Sequence, residues 1–367
     1  MSIRVTHLID LAPGENNPRN SEGSFLKLRD GRIAYCYSRY QGTSSDDHAY
    51  AEIAVIFYDE QQGSWTEPRI LVRPEPGTDE TNCMSVSTAR MDNGDAAVIY
   101  LVKHRGIYSE VILRRSTDEF ETLGEGVRCV APLYRNYYVV NNDRMVHLGK
   151  DRWMIPAAIH PSTMGYHDQP NHVEGRSRAA FFESRDDGHT WRQVSESVGL
   201  PGCAWSSTGL QEPGVIDLPG GTLYAYFRTD LGRQYESVSV DGGESWFEPR
   251  PSQFTSPASP LLIRRNDYTG MYYAVYNPIP EVPGRYRYEP RPNRWTGGRT
   301  PLVIAESADG VHFGNAQVIE DDPQAGFCYP AMLFTGEREL MLSYCAGGVA
   351  PTDVSCLVRT RIVKIEL

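Results

Sequence analysis

The chain is patterned as short apolar and aromatic runs, each opened by a turn. Asp30-Gly31 precedes Arg-Ile-Ala-Tyr-Cys-Tyr, Asn93-Gly94 precedes Asp-Ala-Ala-Val-Ile-Tyr, and Gly149-Lys-Asp151 precedes Arg-Trp-Met-Ile. Gly220-Gly221 opens Thr-Leu-Tyr-Ala-Tyr-Phe, Thr269-Gly270 opens Met-Tyr-Tyr-Ala-Val-Tyr, and Thr335-Gly336 opens Glu-Arg-Glu-Leu-Met-Leu-Ser-Tyr. Runs of this length and aromatic content, bounded by turn residues, predict β-strands, and no helical period of useful length competes. The turns recur at intervals averaging roughly 60 residues, about what four short strands and their loops occupy in one propeller blade. Six turns therefore predict six blades.

A second motif follows most of these strands. Ser184-Arg-Asp-Asp-Gly-His-Thr-Trp191 and Ser239-Val-Asp-Gly-Gly-Glu-Ser-Trp246 share the pattern Ser-x-Asp-x-Gly-x-Thr/Ser-Trp. Ser307-Ala-Asp-Gly-Val-His-Phe313 is a shortened form, and Ser116-Thr-Asp118 and Tyr58-Asp-Glu-Gln-Gln-Gly-Ser-Trp65 are eroded ones. The chemistry is that of a hairpin staple, with a carboxylate accepting turn amides, glycine supplying positive φ and an aromatic ring packing under the turn. The flanks repeat too, as Ser64-Trp-Thr-Glu-Pro-Arg69 and Ser245-Trp-Phe-Glu-Pro-Arg250.

Composition narrows the function class. The 36 Lys+Arg against 47 Asp+Glu give a formal charge of −11, which argues against a nucleic-acid or acidic-membrane partner. Seven cysteines include no Cys-x-x-Cys pair, so neither a disulfide framework nor a thiolate zinc site is expected. No apolar run at the N-terminus has signal-peptide length and none elsewhere approaches a membrane span, so a cytoplasmic location is expected.

The box motifs resemble the Asp-box (BNR) repeat of the sialidase, or neuraminidase, superfamily. That resemblance implies an all-β chain, with residues 1–367 forming a single six-bladed β-propeller of four-stranded antiparallel blades. A terminal strand drawn from residues 357–365 or 3–8 is expected to close the ring and remove an open sheet edge. Sialidases use a tyrosine nucleophile, because a carboxylate nucleophile would be repelled by the carboxylate on the substrate's anomeric carbon. A Glu draws the phenolic proton, an Asp serves as acid/base, and three arginines clamp the substrate carboxylate.

Residue by residue, the resemblance places the nucleophile at Tyr329, in the run from Tyr329-Pro-Ala-Met-Leu-Phe to Ser-Tyr344. It places the activating base at Glu212, in Gly209-Leu-Gln-Glu-Pro-Gly-Val. Both precede proline, which predicts an extended conformation at a strand entrance lining the central channel. The second and third clamp arginines match Arg228, which ends Tyr-Ala-Tyr-Phe-Arg, and Arg299, in Gly-Gly-Arg-Thr-Pro. The acid/base is Asp46 by alignment on the following His-Ala pair, or Asp47 by strand register.

The first arginine departs from the family pattern. Where Arg-Ile-Pro is expected, the chain reads Asn17-Pro-Arg-Asn-Ser-Glu-Gly-Ser, which leaves Arg19 two positions early and puts Glu22 where a negative charge opposes carboxylate binding. Arg233, in Arg-Gln-Tyr235, and Arg144, in Asn141-Asn-Asp-Arg144, fall on segments entering the channel and could add polar contacts or cap turns. His160, His167 and His172 lack carboxylates at ligand offsets, so no metal and no cofactor is expected. Residues 278–298, basic, aromatic and proline-rich, have the character of a lid or contact surface. The implied activity is an exo-glycosidase releasing a terminal sialic acid or related acidic sugar with retention. A glycosidase or lyase on another acidic glycan, and a non-catalytic glycan-binding propeller, are the alternatives. Oligomeric state is not readable from the sequence.

Overall fold

The computed structural model describes residues 2–105, 108–130, 136–162, 173–200, 206–279, 298–348 and 355–367. Among them every regular element is a strand. His167, His172 and nearly all of the 278–298 segment lie outside the described residues.

The strands form antiparallel sheets whose inner strands gather around a common axis. One four-stranded sheet is Gln211–Asp217, Leu223–Arg228, Arg233–Ser239 and Arg250–Thr255; a second is Leu262–Arg265, Tyr272–Tyr276, Leu302–Ser307 and Gly314–Glu320. A five-stranded sheet carries both Tyr137–Val139 and Val146–Gly149 on Arg152–His160, followed by Arg178–Ser184 and Arg192–Gln193. The ring is sealed by a sheet in which Gly326–Phe334, Glu339–Gly347 and Thr360–Glu366 are joined by the N-terminal strand Arg4–Leu11. Both chain ends thus contribute to closure, rather than one or the other.

The propeller arrangement is as the repeats predict, but among the described residues the sheets number five rather than six. The first two repeat units share one nine-stranded sheet. Asn20–Lys27, Ile33–Tyr40 and Ala51–Asp59, with two short outer strands, meet Glu80–Arg90, Ala96–His104, Tyr108–Ser116 and Val127–Val130 through a single parallel pair, Ala51 with Asn82.

Burial explains why the middle strands read as continuous apolar runs. Ala96–His104 is buried at every position, because adjacent units cover both of its faces. The core is therefore a set of wedges between units. One wedge sets Ile99, Leu101 and Leu113 against Trp153, Ile155 and Phe182, and the next sets Met154 and Phe181 against Val215 and Phe227. The outer strand Gly314–Glu320, by contrast, has no buried position.

The boxes are staples, as their chemistry predicts. Asp186 accepts from Thr190 N at 2.8 Å and Thr190 Oγ1 at 2.6 Å, while Ser184 Oγ bridges to Asp186 and takes the Gly188 amide. Asp118 repeats this pattern with Thr122, so the copy eroded in sequence is complete in geometry. The box tryptophan Trp246 stacks on Phe181 with centroids 4.1 Å apart.

One feature of the inner strands positions the site. Each of four carries a register shift next to a non-glycine residue with positive φ: Glu22 (56°), Ser85 (57°), Glu212 (45°) and Tyr329 (54°). These are bulges, and a bulge re-aims the side chain that the regular pleat would bury in a sheet face. The extended conformation predicted for Glu212 and Tyr329 is therefore not what forms. Left-handed backbone at such residues costs about 1–3 kcal/mol each, and surrounding packing must hold it.

Candidate active site

Strand register and the bulges bring three of the predicted residues together. Arg228 pairs directly with Gln211, so its side chain lies beside Glu212. Its Nη1 donates to Glu212 Oε1 at 2.6 Å, and the Tyr329 hydroxyl donates to the same oxygen at 2.8 Å. Arg228 Nη1 is also 3.4 Å from the Tyr329 oxygen. Arg299 is fixed by its own carbonyl, which accepts the Phe327 amide at 2.7 Å two residues before the tyrosine. Its guanidinium lies 5.6 Å from the Tyr329 ring centroid and donates to Cys328 Sγ at 3.1 Å and Ala258 O at 3.2 Å.

Electrostatics assign the resting protonation states. Burial pushes the Glu212 carboxyl upward, but the charge and hydrogen bond of Arg228, with help from Tyr329 and Arg299, hold it below its ordinary range. Burial, reinforced by the Glu212 charge, raises the Tyr329 phenol well above its ordinary value, against the pull of both arginines. The pair is thus a carboxylate accepting from a neutral phenol. Two guanidiniums against one carboxylate leave one positive charge in excess here. Glu212 Oε2 and Arg228 Nε, both buried, have no protein partner among the described residues.

These groups line a cavity of about 800 Å³. Glu22, Asp47, Ser85, Lys103 and Tyr137 line it as well. Arg19 sits behind Glu22 and Asp47 and is not part of the cavity lining, contrary to its expected place in the clamp. It is 1% exposed, its Nη2 donates to Glu22 Oε1 at 2.7 Å, its Nη1 pairs with Asp47, and it lies 4.5 Å from the Tyr40 ring centroid. Ser21 stands near the position where an arginine was expected, Glu22 follows it in the bulge, and two carboxylates hold Arg19.

The remaining candidates separate clearly. Asp47 reaches the rim, whereas Asp46 is exposed, lies outside the cavity and caps its own turn by accepting the His48 amide at 2.9 Å. Arg144 is buried on the Leu261 carbonyl at 2.6 Å, over the Tyr226 ring, and Arg233 donates to Ser252 O at 2.9 Å. Neither of these two arginines is part of the cavity wall. His160 does line it, with Nδ1 against the Glu174 carbonyl at 2.9 Å.

Two wall residues, Lys103 and Ser85, are not singled out by motif. Lys103 donates to the Asp47 carbonyl at 2.7 Å, and burial lowers its pKa to about 8. Its signal in the sequence is a lone charge continuing the apolar run Ala-Ala-Val-Ile-Tyr-Leu-Val.

Comparison with known proteins agrees with this architecture. The family model described as BNR repeat-like domain matches residues 35–342. An anhydrosialidase of Macrobdella decora is 32% identical over 90 residues, a stretch that spans 24% of this chain and 11% of that protein. Among solved structures, a protein of unknown function from Dyadobacter fermentans DSM 18053 superposes with a TM-score of 0.70 at 17% identity, covering 100% of this chain and 99% of that one. A Trypanosoma rangeli sialidase in complex with sialic acid superposes with a TM-score of 0.67 at 15% identity, covering 100% of this chain and 59% of that one. At these identities the superpositions speak for the fold. The chain belongs to the BNR repeat-like domain family and shares the β-propeller fold of the sialidases it superposes on.

Proposed function

We propose that the protein is a retaining exo-glycosidase that removes a terminal sialic acid or a related acidic sugar. The observation that carries this reading is the Tyr329 hydroxyl, hydrogen-bonded at 2.8 Å to a glutamate that is itself held by Arg228, beside Arg299 on the wall of a large cavity. Arg228 and Arg299 seat the substrate carboxylate with charge-assisted hydrogen bonds. The phenol oxygen attacks the anomeric carbon while its proton passes to Glu212 along the existing hydrogen bond. A second carboxyl on the cavity lining, where Glu22 and Asp47 stand, protonates the departing oxygen. Water then attacks the glycosyl-tyrosine, that same carboxylate takes the water's proton, and Glu212 returns a proton to the phenolate.

The engagement of Arg19 by Glu22 and Asp47 favours a two-arginine clamp, and with it acidic sugars beyond sialic acid itself. Hydrolysis of a fluorogenic sialoside by wild type, Tyr329→Phe and Glu212→Gln tests the reading. Release by wild type alone supports it. No release by pure wild type removes the sialidase assignment, and a set of other acidic glycosides then separates a different hydrolase from a binding protein.

A further inference from the structure

Glu22 is absent from the expected catalytic set, yet the fold treats it like the two residues that are in it. It occupies the bulge of its inner strand just as Glu212 and Tyr329 occupy theirs, with φ of 56°. Its strand neighbours that of Tyr329, and Asn142 ties the two bulges together. The Asn142 amide donates to the Gly23 carbonyl at 2.9 Å and to the Tyr329 carbonyl at 3.3 Å. The Glu22 side chain is 5% exposed, lines the cavity and is fixed at both oxygens, by Arg19 at 2.7 Å and by Ser85 Oγ at 2.6 Å. Each carboxyl oxygen has two lone-pair directions, so this anchoring leaves one on each oxygen for a group in the cavity.

Building on the glycosidase reading, we infer that Glu22, rather than Asp46 or Asp47, is the acid/base that protonates the glycosidic oxygen and then deprotonates the attacking water. In the first half-reaction the C–O bond to the leaving group breaks as the Tyr329–carbon bond forms. The Glu22 proton goes to the leaving oxygen and the Tyr329 proton to Glu212. In the second, a water O–H loses its proton to Glu22 as the new C–O bond forms, and Glu212 returns the phenol proton. Protons balance over the cycle.

The competing carboxylates are disposed differently. Asp46 is outside the cavity, and the Asp47 side chain is 57% exposed to water at the rim. Glu22 and Asp47 share one guanidinium, and the shared site pushes their proton affinities apart. Burial, with the like charge of Asp47, raises Glu22, whereas Arg19 and Lys103 overcome burial and lower Asp47. The groups facing Glu22 that set this balance are Arg19, Tyr40, Asp47, Ser85, Lys103 and Tyr329.

The test compares two leaving groups, an aryl sialoside (4-methylumbelliferyl) and an alkyl one (3′-sialyllactose). General-acid assistance matters far more for the alkyl alcohol. Glu22→Gln should lose roughly 10²–10⁴-fold in kcat/KM on the alkyl substrate and less than about 10-fold on the aryl one. Asp46→Asn and Asp47→Asn should lose similar factors on both. Ser85→Ala, which keeps the Arg19 pair, should move the alkaline limb of the kcat/KM profile to higher pH, because it removes a donor that stabilises the Glu22 carboxylate. A leaving-group-dependent loss in Asp47→Asn with a uniform loss in Glu22→Gln overturns the inference, as does an unmoved limb in a folded Ser85→Ala. Wild type inactive on both substrates overturns the glycosidase reading itself, and Glu22's role with it.

Discussion

Glu212 and Tyr329 share a 2.8 Å hydrogen bond although 117 positions separate them in the chain. The bond already points the phenolic proton at its acceptor. Tyr329→Phe deletes that proton and the proposed nucleophile while keeping the ring that Arg299 faces. We expect kcat to fall by at least about 10³-fold while affinity for the acidic sugar stays within a few-fold. Calorimetric titration beside a turnover assay checks both halves; a loss of binding equal to the loss of rate would make Tyr329 a positioning residue.

Among the described residues Arg299 and Arg228 share the single carboxylate of Glu212, which leaves one positive charge in excess. Arg299→Met should raise KM for an acidic substrate by roughly 10- to 100-fold, the worth of one charge-assisted hydrogen bond, and reduce kcat much less. Steady-state kinetics settle the split. An unchanged KM would place the substrate carboxylate elsewhere.

Lys103 gives a stability prediction with a defined sign. Burial depresses its pKa to about 8, against about 10.4 in an unfolded chain. Between these values the unfolded state binds more protons, so this group makes the wild type more stable as pH rises through that window. Lys103→Met lacks the term. Its stability relative to wild type should therefore be most favourable near pH ~7 and decline toward pH ~10, as read by urea denaturation at both. A pH-independent difference would mean that the ammonium is solvated.

Gly214 lies directly across from Tyr226, and a Cβ there would sit 2.1 Å from the tyrosine ring. The ring cannot retreat easily, since it is buried under Arg144 and its hydroxyl accepts the Ile263 amide. Gly214→Ala should destabilise the fold by about 1–3 kcal/mol. Because the Glu212 bulge is two residues away, kcat should fall in the same variant. Full stability with full activity would show that the bulge tolerates repacking.

How far these features were legible follows from how local they are. Tyr329, Glu212, Arg228 and Arg299 each border a turn-strand unit, and the unit's pattern survives in the sequence. The Asp boxes were legible for the same reason, since Asp186 and Thr190 bond within one hairpin. Arg19 misled because its fate depends on two carboxylates from different segments, Glu22 on its own strand and Asp47 on a loop 28 residues away. Lys103 and Ser85 became wall residues only through the alignment of separate inner strands, which no local pattern encodes. The positive φ before each proline was hidden too, because the bulge that imposes it is a property of strand pairing. The same holds for the merging of the first two units into one sheet, which rests on the single pair of Ala51 with Asn82.

The seam between the chain ends has a consequence for timing. Arg4 pairs with Glu366, so this sheet is complete only once strands 362 positions apart in the sequence have met. That sheet also carries Tyr329, whereas Glu212 and Arg228 belong to a sheet that can pair entirely from residues 211–255. Contacts spanning this much chain are slow to form. An unsealed chain would hold Glu212 and Arg228 in place before Tyr329, so the hydrogen bond that joins the three forms only when the ring locks.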